Sequence, residues 1–300
     1  MIDKNTSLIT VLMSSYNDPK LEFALESLKN QTYKNFKIIL INDGGRSCEE
    51  LLNKFKILKI EYINLKKNLG LSKCLNIGIK KVNTKFIARM DTDDFCLPER
   101  LEMQLDYIKK NNLDLIGSAV ISKSKSLKSL YKIDHNLEGK DISKLLLKYV
   151  PIAHPTFFAK SEVFKNILYD EEIRYSQDYD FLVRCAIKKY KLGNLNIPLL
   201  IYNNELSQNI NKIFFQIKIS NEISIRYNLF KNKNIQYKLN YKNLFKKISY
   251  YEKKSLLIRN KVLMTKNIFF KKIIFLLYFL ISLFSKELRN FNFRSIKKLK

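Results

Sequence analysis

The sequence predicts an α/β fold, a mainly parallel sheet flanked by helices, followed by a helical and basic C-terminal region. Three observations carry the prediction. Over roughly the first 120 residues, short apolar runs alternate with segments of helical spacing, the pattern of parallel strands joined by helices. Polar loops follow three of those runs, at Ser14–Asp18, Asp43–Ser47 and Asp91–Phe95, the position where parallel sheets bind ligands. Beyond about Glu205, Lys-, Asn- and aromatic-rich helical segments with almost no acid take over. The expected units are therefore 1–205 and 206–300.

Each element has its own signal. Leu8–Met13 (LITVLM) reads as a buried strand, and Leu21, Leu25 and Leu28 mark one face of the helix after it. Lys37–Asn42 and Lys59–Asn64 are the next strands, and Leu71, Leu75 and Ile79 line a helix that starts near Gly70. Phe86–Ala88 is a short strand that runs into the acids Asp91, Asp93 and Asp94. Pro98 suits the first position of another helix, since its missing N–H costs nothing there. Asp114–Ile121 is a further strand, and residues 122–150 read as a polar, Lys/Ser-rich surface excursion. His154–Phe158 resumes β character, Asp178–Tyr190 has helical spacing, and Ile197–Ile201 closes the strand series.

Composition narrows the functional classes. With 46% hydrophobic and 12% aromatic residues in 300, the chain can bury a sizeable core. Its net charge is +27, and residues 211–300 hold 22 Lys/Arg against three acids, a local excess of +19. Such a localised excess suits an anionic partner, either nucleic acid or an anionic membrane. Four scattered cysteines without a C-x-x-C pair argue against a zinc site or disulfide framework and fit a reducing cytosol. The six-residue apolar run near the N-terminus is short for a signal-peptide core, so no export is expected.

Acids at i and i+2 leaving a strand can converge on one hard cation. Mg2+ or Mn2+ prefers oxygen ligands and often shares its shell with phosphate oxygens. Such an ion would neutralise a diphosphate leaving group. The alternative is that Asp94 caps the helix opening near Pro98 while Asp91 and Asp93 are merely solvated.

Six segments in one order resemble the family-two glycosyltransferases. They are SSYND (14–18), INDGG (41–45), NLGLSKCLNIGI (68–79), ARMDTDDFCLPERL (88–101), HPTFFAKSEVF (154–164) and SQDYDFLVRC (176–185), spanning roughly residues 6–203. The resemblance implies a GT-A-type, Rossmann-like nucleotide-binding fold and a metal-dependent, inverting transfer of sugar from a nucleotide-sugar, with a UDP-sugar as the first expectation. It implies a glycan or lipid-linked oligosaccharide acceptor in lipopolysaccharide, capsule or other surface polysaccharide synthesis. By the same resemblance, Asp43 contacts the nucleotide base and Tyr16 and Asn17 line its pocket. Asn68, Gly70 and Asn76 lie near the donor, and Asp91 and Asp93, with Asp94 as a further ligand, hold the metal and diphosphate. Asp178 falls on the general base, which would take the proton of the acceptor hydroxyl. His154 is a candidate acceptor or phosphate contact. Without a ligand, Asp43 reads as a turn former, Gly70 as a helix-start turn residue, and Asp178 as the N-terminal charge of its helix, a reading compatible with the catalytic one. Arg184, at helix spacing from Asp178 and Asp180, reads as an ion-pair partner.

The chain departs from the family pattern at two points. Gln177 stands where a Glu often precedes the base, and Tyr202-Asn203-Asn204-Glu205 replaces a Tyr-Arg-x-His-like run. Without any Trp, the Gln-x-x-Arg-Trp motif of processive synthases is absent, so one sugar per acceptor is expected. Two other classes stay in view. One is a nucleic-acid-binding module using the basic tail, which leaves the acids without a use. The other is an inactive family member acting as a partner subunit.

The tail itself carries an apolar run from Ile273 to Phe284, broken by Ser282 alone, and then Lys286, Arg289, Arg294, Lys297, Lys298 and Lys300. As a helix those 12 residues span roughly 18 Å, short of the about 30 Å hydrocarbon core. An apolar anchor with a polybasic flank is expected to lie on an anionic membrane surface, peripheral on the inner face of the plasma membrane. The competing reading is a helix packed over the catalytic domain.

Overall fold

A computed structural model describes residues 7–123, 130–133, 137–138, 140–203, 209–239, 249–264, 268–285 and 288–289. The chain divides into two units. One runs to Asn204, less two short segments; the other gathers residues 205–300 with 124–128 and Leu146–Tyr149. The 146–149 segment has a physical tie to the second unit. The Leu147 carbonyl accepts the Ser224 hydroxyl at 2.6 Å and the Asn228 amide at 3.1 Å.

In the first unit the strands are β1 (Ile9–Ser15), β2 (Phe36–Asn42), β3 (Ile60–Asn64), β4 (Phe86–Arg89) and β5 (Phe95–Cys96). They continue as β6 (Leu115–Lys123), β7 (Leu130–Ile133), β8 (Leu137–Glu138), β9 (Phe158–Lys160) and β10 (Leu192–Asn203). Helices α1 (Leu21–Lys29), α2 (Glu49–Leu52), α3 (Leu71–Lys81), α4 (Arg100–Lys110), α5 (Lys140–Leu145), α6 (Ser161–Ile167) and α7 (Gln177–Ile187) join them. The sheet order is β3-β2-β1-β4-β9-β6-β10-β5, with β7 beside β6 and β8 beside β10. The pairs β3–β2, β2–β1, β1–β4 and β6–β10 are parallel, and the four strands that oppose this direction are only two to four residues long. The predicted α/β class, with its mainly parallel sheet, is what forms.

The central strands lie inside because both of their faces are covered. Ile9, Val11, Leu12 and Met13 of β1 and Ile38 to Ile41 of β2 are essentially inaccessible, the continuous apolar run expected of a parallel strand. Gly78 sets how closely α3 lies on β1: a Cβ there would come 2.3 Å from Leu12 Cδ1.

Some elements differ from the sequence reading. Helix α4 starts at Arg100, and Pro98 stays in the preceding turn. His154–Thr156 forms a single 3-10 turn, with strand β9 beginning at Phe158. The Pro155 ring fits that turn's first residues and could not serve a sheet ladder there. The region read as a surface excursion contributes the end of β6, the strands β7 and β8, and α5. Helix α7 stops at Ile187, and Lys189 takes a left-handed conformation (φ 62°).

The second unit contains α8 (Ile210–Lys233), α9 (Tyr250–Met264) and α10 (Ile268–Ser282). Asn209 caps α8 by accepting the Lys212 N–H at 3.1 Å, and left-handed Asn234 ends it. Ile213, Phe214, Ile217, Leu256 and Leu288 form a small core. Of the tail's predicted basic flank, Lys286, Arg294, Lys297, Lys298 and Lys300 lie outside the described residues. Among the described residues no helix is long and apolar enough to cross a membrane.

Candidate active site

The loops after β1, β2 and β3 are laced together by side chains. Asn17, left-handed at φ 52°, accepts the Arg46 N–H at 2.8 Å and so ties the first loop to the second. Asp43, 4% exposed, accepts the N–H of Leu69 at 2.6 Å and of Gly70 at 3.0 Å. Gly44 lets the second loop touch the third. Its φ is +76°, and a Cβ would fall 2.2 Å from the Lys67 carbonyl carbon. Tyr16 (56% exposed) and Asn68 remain open to solvent on these loops. Asn68 and Gly70 border a cavity of about 390 Å3, whose lining also includes Lys73, Arg174, Tyr175 and Gln177.

Asn76 faces the other way. It is buried, its amide donates to the Tyr169 carbonyl at 2.9 Å and to Glu171 at 3.0 Å, and its oxygen accepts the Tyr169 N–H at 2.8 Å. Because both amide protons are committed to protein partners, Asn76 clamps α3 to the 169–171 segment and can serve a donor only indirectly.

The acids after β4 do converge. One carboxylate oxygen from each of Asp91, Asp93 and Asp94 lies within 4.8 Å of the others. Both oxygens of Asp91 accept from the Arg89 guanidinium, which is 1% exposed. Asp93 accepts the Asn203 side-chain amide at 3.0 Å, and Asp94 accepts the Asn203 main-chain N–H at 2.9 Å. Asp94 is therefore not a helix cap: α4 is preceded by Glu99, which makes no side-chain cap bond. Burial and the charge on Asp91 push the Asp94 carboxyl up to about 8, and burial also raises Asp93. Among the described residues, the second oxygen of Asp94 is buried without a hydrogen-bond partner. Clustered oxygens, mutual repulsion and an orphaned buried acceptor together fit a hard divalent cation.

Asp178 stands in the first turn of α7, half-buried. Burial raises its pKa; the main-chain N–H groups at the start of α7 and Arg89 oppose the rise, and Asp91 adds to it. The charges of Arg89 and Asp91 also reach Tyr169 and Tyr202, so base candidate and acid cluster share one electrostatic neighbourhood. His154 belongs to it as well. Its Nε2 lies 2.8 Å from the Tyr169 hydroxyl, and its ring packs edge-on against Phe157 and Tyr169. Burial and the nearby Arg89 hold its pKa well below the usual value, so the ring is neutral and lacks the charge a phosphate contact would use. Arg184 pairs with Asp180 at 2.7 Å, as its spacing predicts.

The sequence pattern gives no role to Arg89 or Tyr169, and it offers Asn203 only as a departure from a basic residue. The Arg in ARMDTDD was the available signal. A lone Arg before an acid run reads as a solvated ion pair until its burial is known.

Comparison with known proteins identifies the family and the fold. The family described as Glycosyl transferase family 2 matches residues 10–168. An uncharacterized glycosyltransferase of Methanocaldococcus jannaschii is 34% identical over 204 residues, 65% of this chain and 70% of that protein. The amylovoran biosynthesis glycosyltransferase AmsE of Erwinia amylovora is 34% identical, covering 63% and 73%. The O-antigen biosynthesis glycosyltransferase WbnJ of Escherichia coli is 33% identical, covering 65% and 79%. Among solved structures, S. aureus TarS 1–349 aligns with a TM-score of 0.59 at 14% identity, over 97% of this chain and 90% of that one. The same protein solved with UDP-GlcNAc aligns at 0.58 and 14% identity, over 84% and 80%. That likeness carries the fold, which is GT-A-like. The chain belongs to glycosyl transferase family 2 and is a glycosyltransferase.

Proposed function

We propose that the enzyme moves one sugar from a nucleotide-sugar, a UDP-sugar first, to a glycan or lipid-linked acceptor in surface polysaccharide synthesis, with inversion. The carrying observation is that Asp178 and the acid cluster share one neighbourhood at the carboxyl ends of parallel strands. Relatives named for amylovoran and O-antigen synthesis, and a structural neighbour solved with UDP-GlcNAc, support the donor and pathway class.

Each residue then has a task. Tyr16, Asn17 and Asn68 flank the nucleotide, on loops that Asp43 and Gly44 hold in register. Asp178 takes the acceptor hydroxyl proton as that oxygen attacks the anomeric carbon from the face opposite the nucleotide. The old bond from sugar to diphosphate breaks, and the diphosphate leaves with its electron pair. The cluster of Asp91, Asp93 and Asp94 would hold a divalent cation (Mn2+ or Mg2+), which would supply Lewis-acid neutralisation of that diphosphate.

Thermal melting gives a first test. UDP with Mn2+ should raise the melting temperature, and duplex DNA should not. Stabilisation by DNA alone, lost in salt, would favour the nucleic-acid reading instead.

The second unit fits a membrane-surface anchor. Phe275, Leu276, Leu277 and Leu280 on α10, and Phe284 just beyond it (77% exposed), present apolar surface in the most basic part of the chain. Peripheral attachment would bring a lipid-linked acceptor to the enzyme. Sedimentation should find the chain on vesicles containing anionic lipid, and replacing Phe275, Leu276 and Leu280 with Ser should release it. Unchanged sedimentation of that variant would remove α10 from the contact.

A further inference from the structure

The three clustered acids are not equivalent. Arg89 closes β4 and is fixed from two sides besides its own strand: its N–H donates to the Phe157 carbonyl at 2.8 Å, and its carbonyl accepts from Arg100 Nη2 at 2.7 Å. Its two Nη groups reach both oxygens of Asp91, one of them at 2.6 Å. Arg89 is buried, so this is a charge pair held away from water, and each partner depends on the other. Asp93 and Asp94 are held differently. Their one shared clamp, Asn203, is neutral: it orients the two carboxylates and adds no positive charge. Among the described residues, Asp94 Oδ2 is buried with no hydrogen-bond partner.

A buried, unpartnered carboxylate oxygen is costly, and a divalent cation is the partner that would answer it. A cation set on Asp91 would instead face the guanidinium across a single carboxylate in a poorly screened site, where like charges repel strongly. Resting on the reading that the acid cluster holds a divalent cation, we infer that Arg89 divides the cluster. Arg89 takes Asp91 as its internal counter-ion, and Asp93 and Asp94 are left as the cation's carboxylate ligands. Arg89 is a positioning residue, and Asp91 is its anchor.

The division predicts an asymmetry in metal binding by the full chain, read from the free Mn2+ electron paramagnetic resonance signal, with and without UDP. Asp93→Asn and Asp94→Asn should each weaken Mn2+ binding by about tenfold or more. Asp91→Asn should change Mn2+ binding by only a small factor while lowering the melting temperature most, because it strands a buried guanidinium. If that variant does not fold, the pair Arg89→Met with Asp91→Asn removes both charges together, and it should melt higher than Asp91→Asn and still bind Mn2+. Loss of Mn2+ binding in the folded double variant, equal to the loss in Asp94→Asn, overturns the division. If the unaltered chain takes up no Mn2+ in either condition, the metal reading itself fails, and the division falls with it.

Discussion

Replacing Asp178 with Asn is expected to slow sugar transfer by about 10²- to 10⁴-fold, the usual contribution of a positioned base. The substitution keeps the shape of the first turn of α7, so stabilisation by UDP should survive. The pH profile adds a second readout. Only the ionised carboxylate can accept the acceptor's proton, and burial raises its pKa above the ordinary 3.8. The rate should therefore fall on acidification at a higher pH than an ordinary aspartate would give, and the Asn variant should lack that limb. A variant with full transfer activity would remove Asp178 from the role of base.

Chelating divalent metal is the second large perturbation. EDTA should reduce nucleotide release on the order of 10²-fold or more, the scale of losing one strong electrostatic partner of the leaving group. Mn2+ or Mg2+ should restore it. The same cluster links stability to pH. Asp94 has a raised pKa in the folded chain, so between about 4 and about 8 the folded state binds more protons than the unfolded one. The metal-free chain should then lose stability as pH rises through that window. Added Mn2+ should raise the melting temperature most at its upper end. Activity that survives exhaustive chelation, with no such pH slope, would count against a metal at the cluster.

The parts of this molecule that local chemistry dictates were legible in the sequence. β1 and β2 are buried on both faces, so their apolar runs are continuous, and the Leu/Ile spacing of α3 follows from packing on that sheet. The acids of 91–94 were readable because a cluster of carboxylates in so basic a chain demands a reason. Other parts depended on distant segments. Strands β5, β7, β8 and β9 are two to four residues long, too short for any periodicity to declare them. Asn203 meets Asp93 and Asp94 from over a hundred residues away, and nothing in Tyr202-Asn203-Asn204 announces a clamp. Asn76 could be noticed as a candidate but not oriented, because only the course of 169–171 shows that its amide is spent on the Tyr169 main chain and the Glu171 carboxylate. Arg89 was hidden for a related reason: its role follows from burial, which spacing does not reveal.

Nucleotide release from a panel of UDP-, GDP- and dTDP-sugars, measured with Mn2+ and without added acceptor, addresses nucleotide-sugar glycosyl transfer most directly. Slow release is expected from one nucleotide class, a UDP-sugar first, abolished by chelation and by Asp94→Asn. Absence of release from every donor, together with no stabilisation by any of the nucleotides, would contradict a working glycosyltransferase site at Asp178 and the acid cluster.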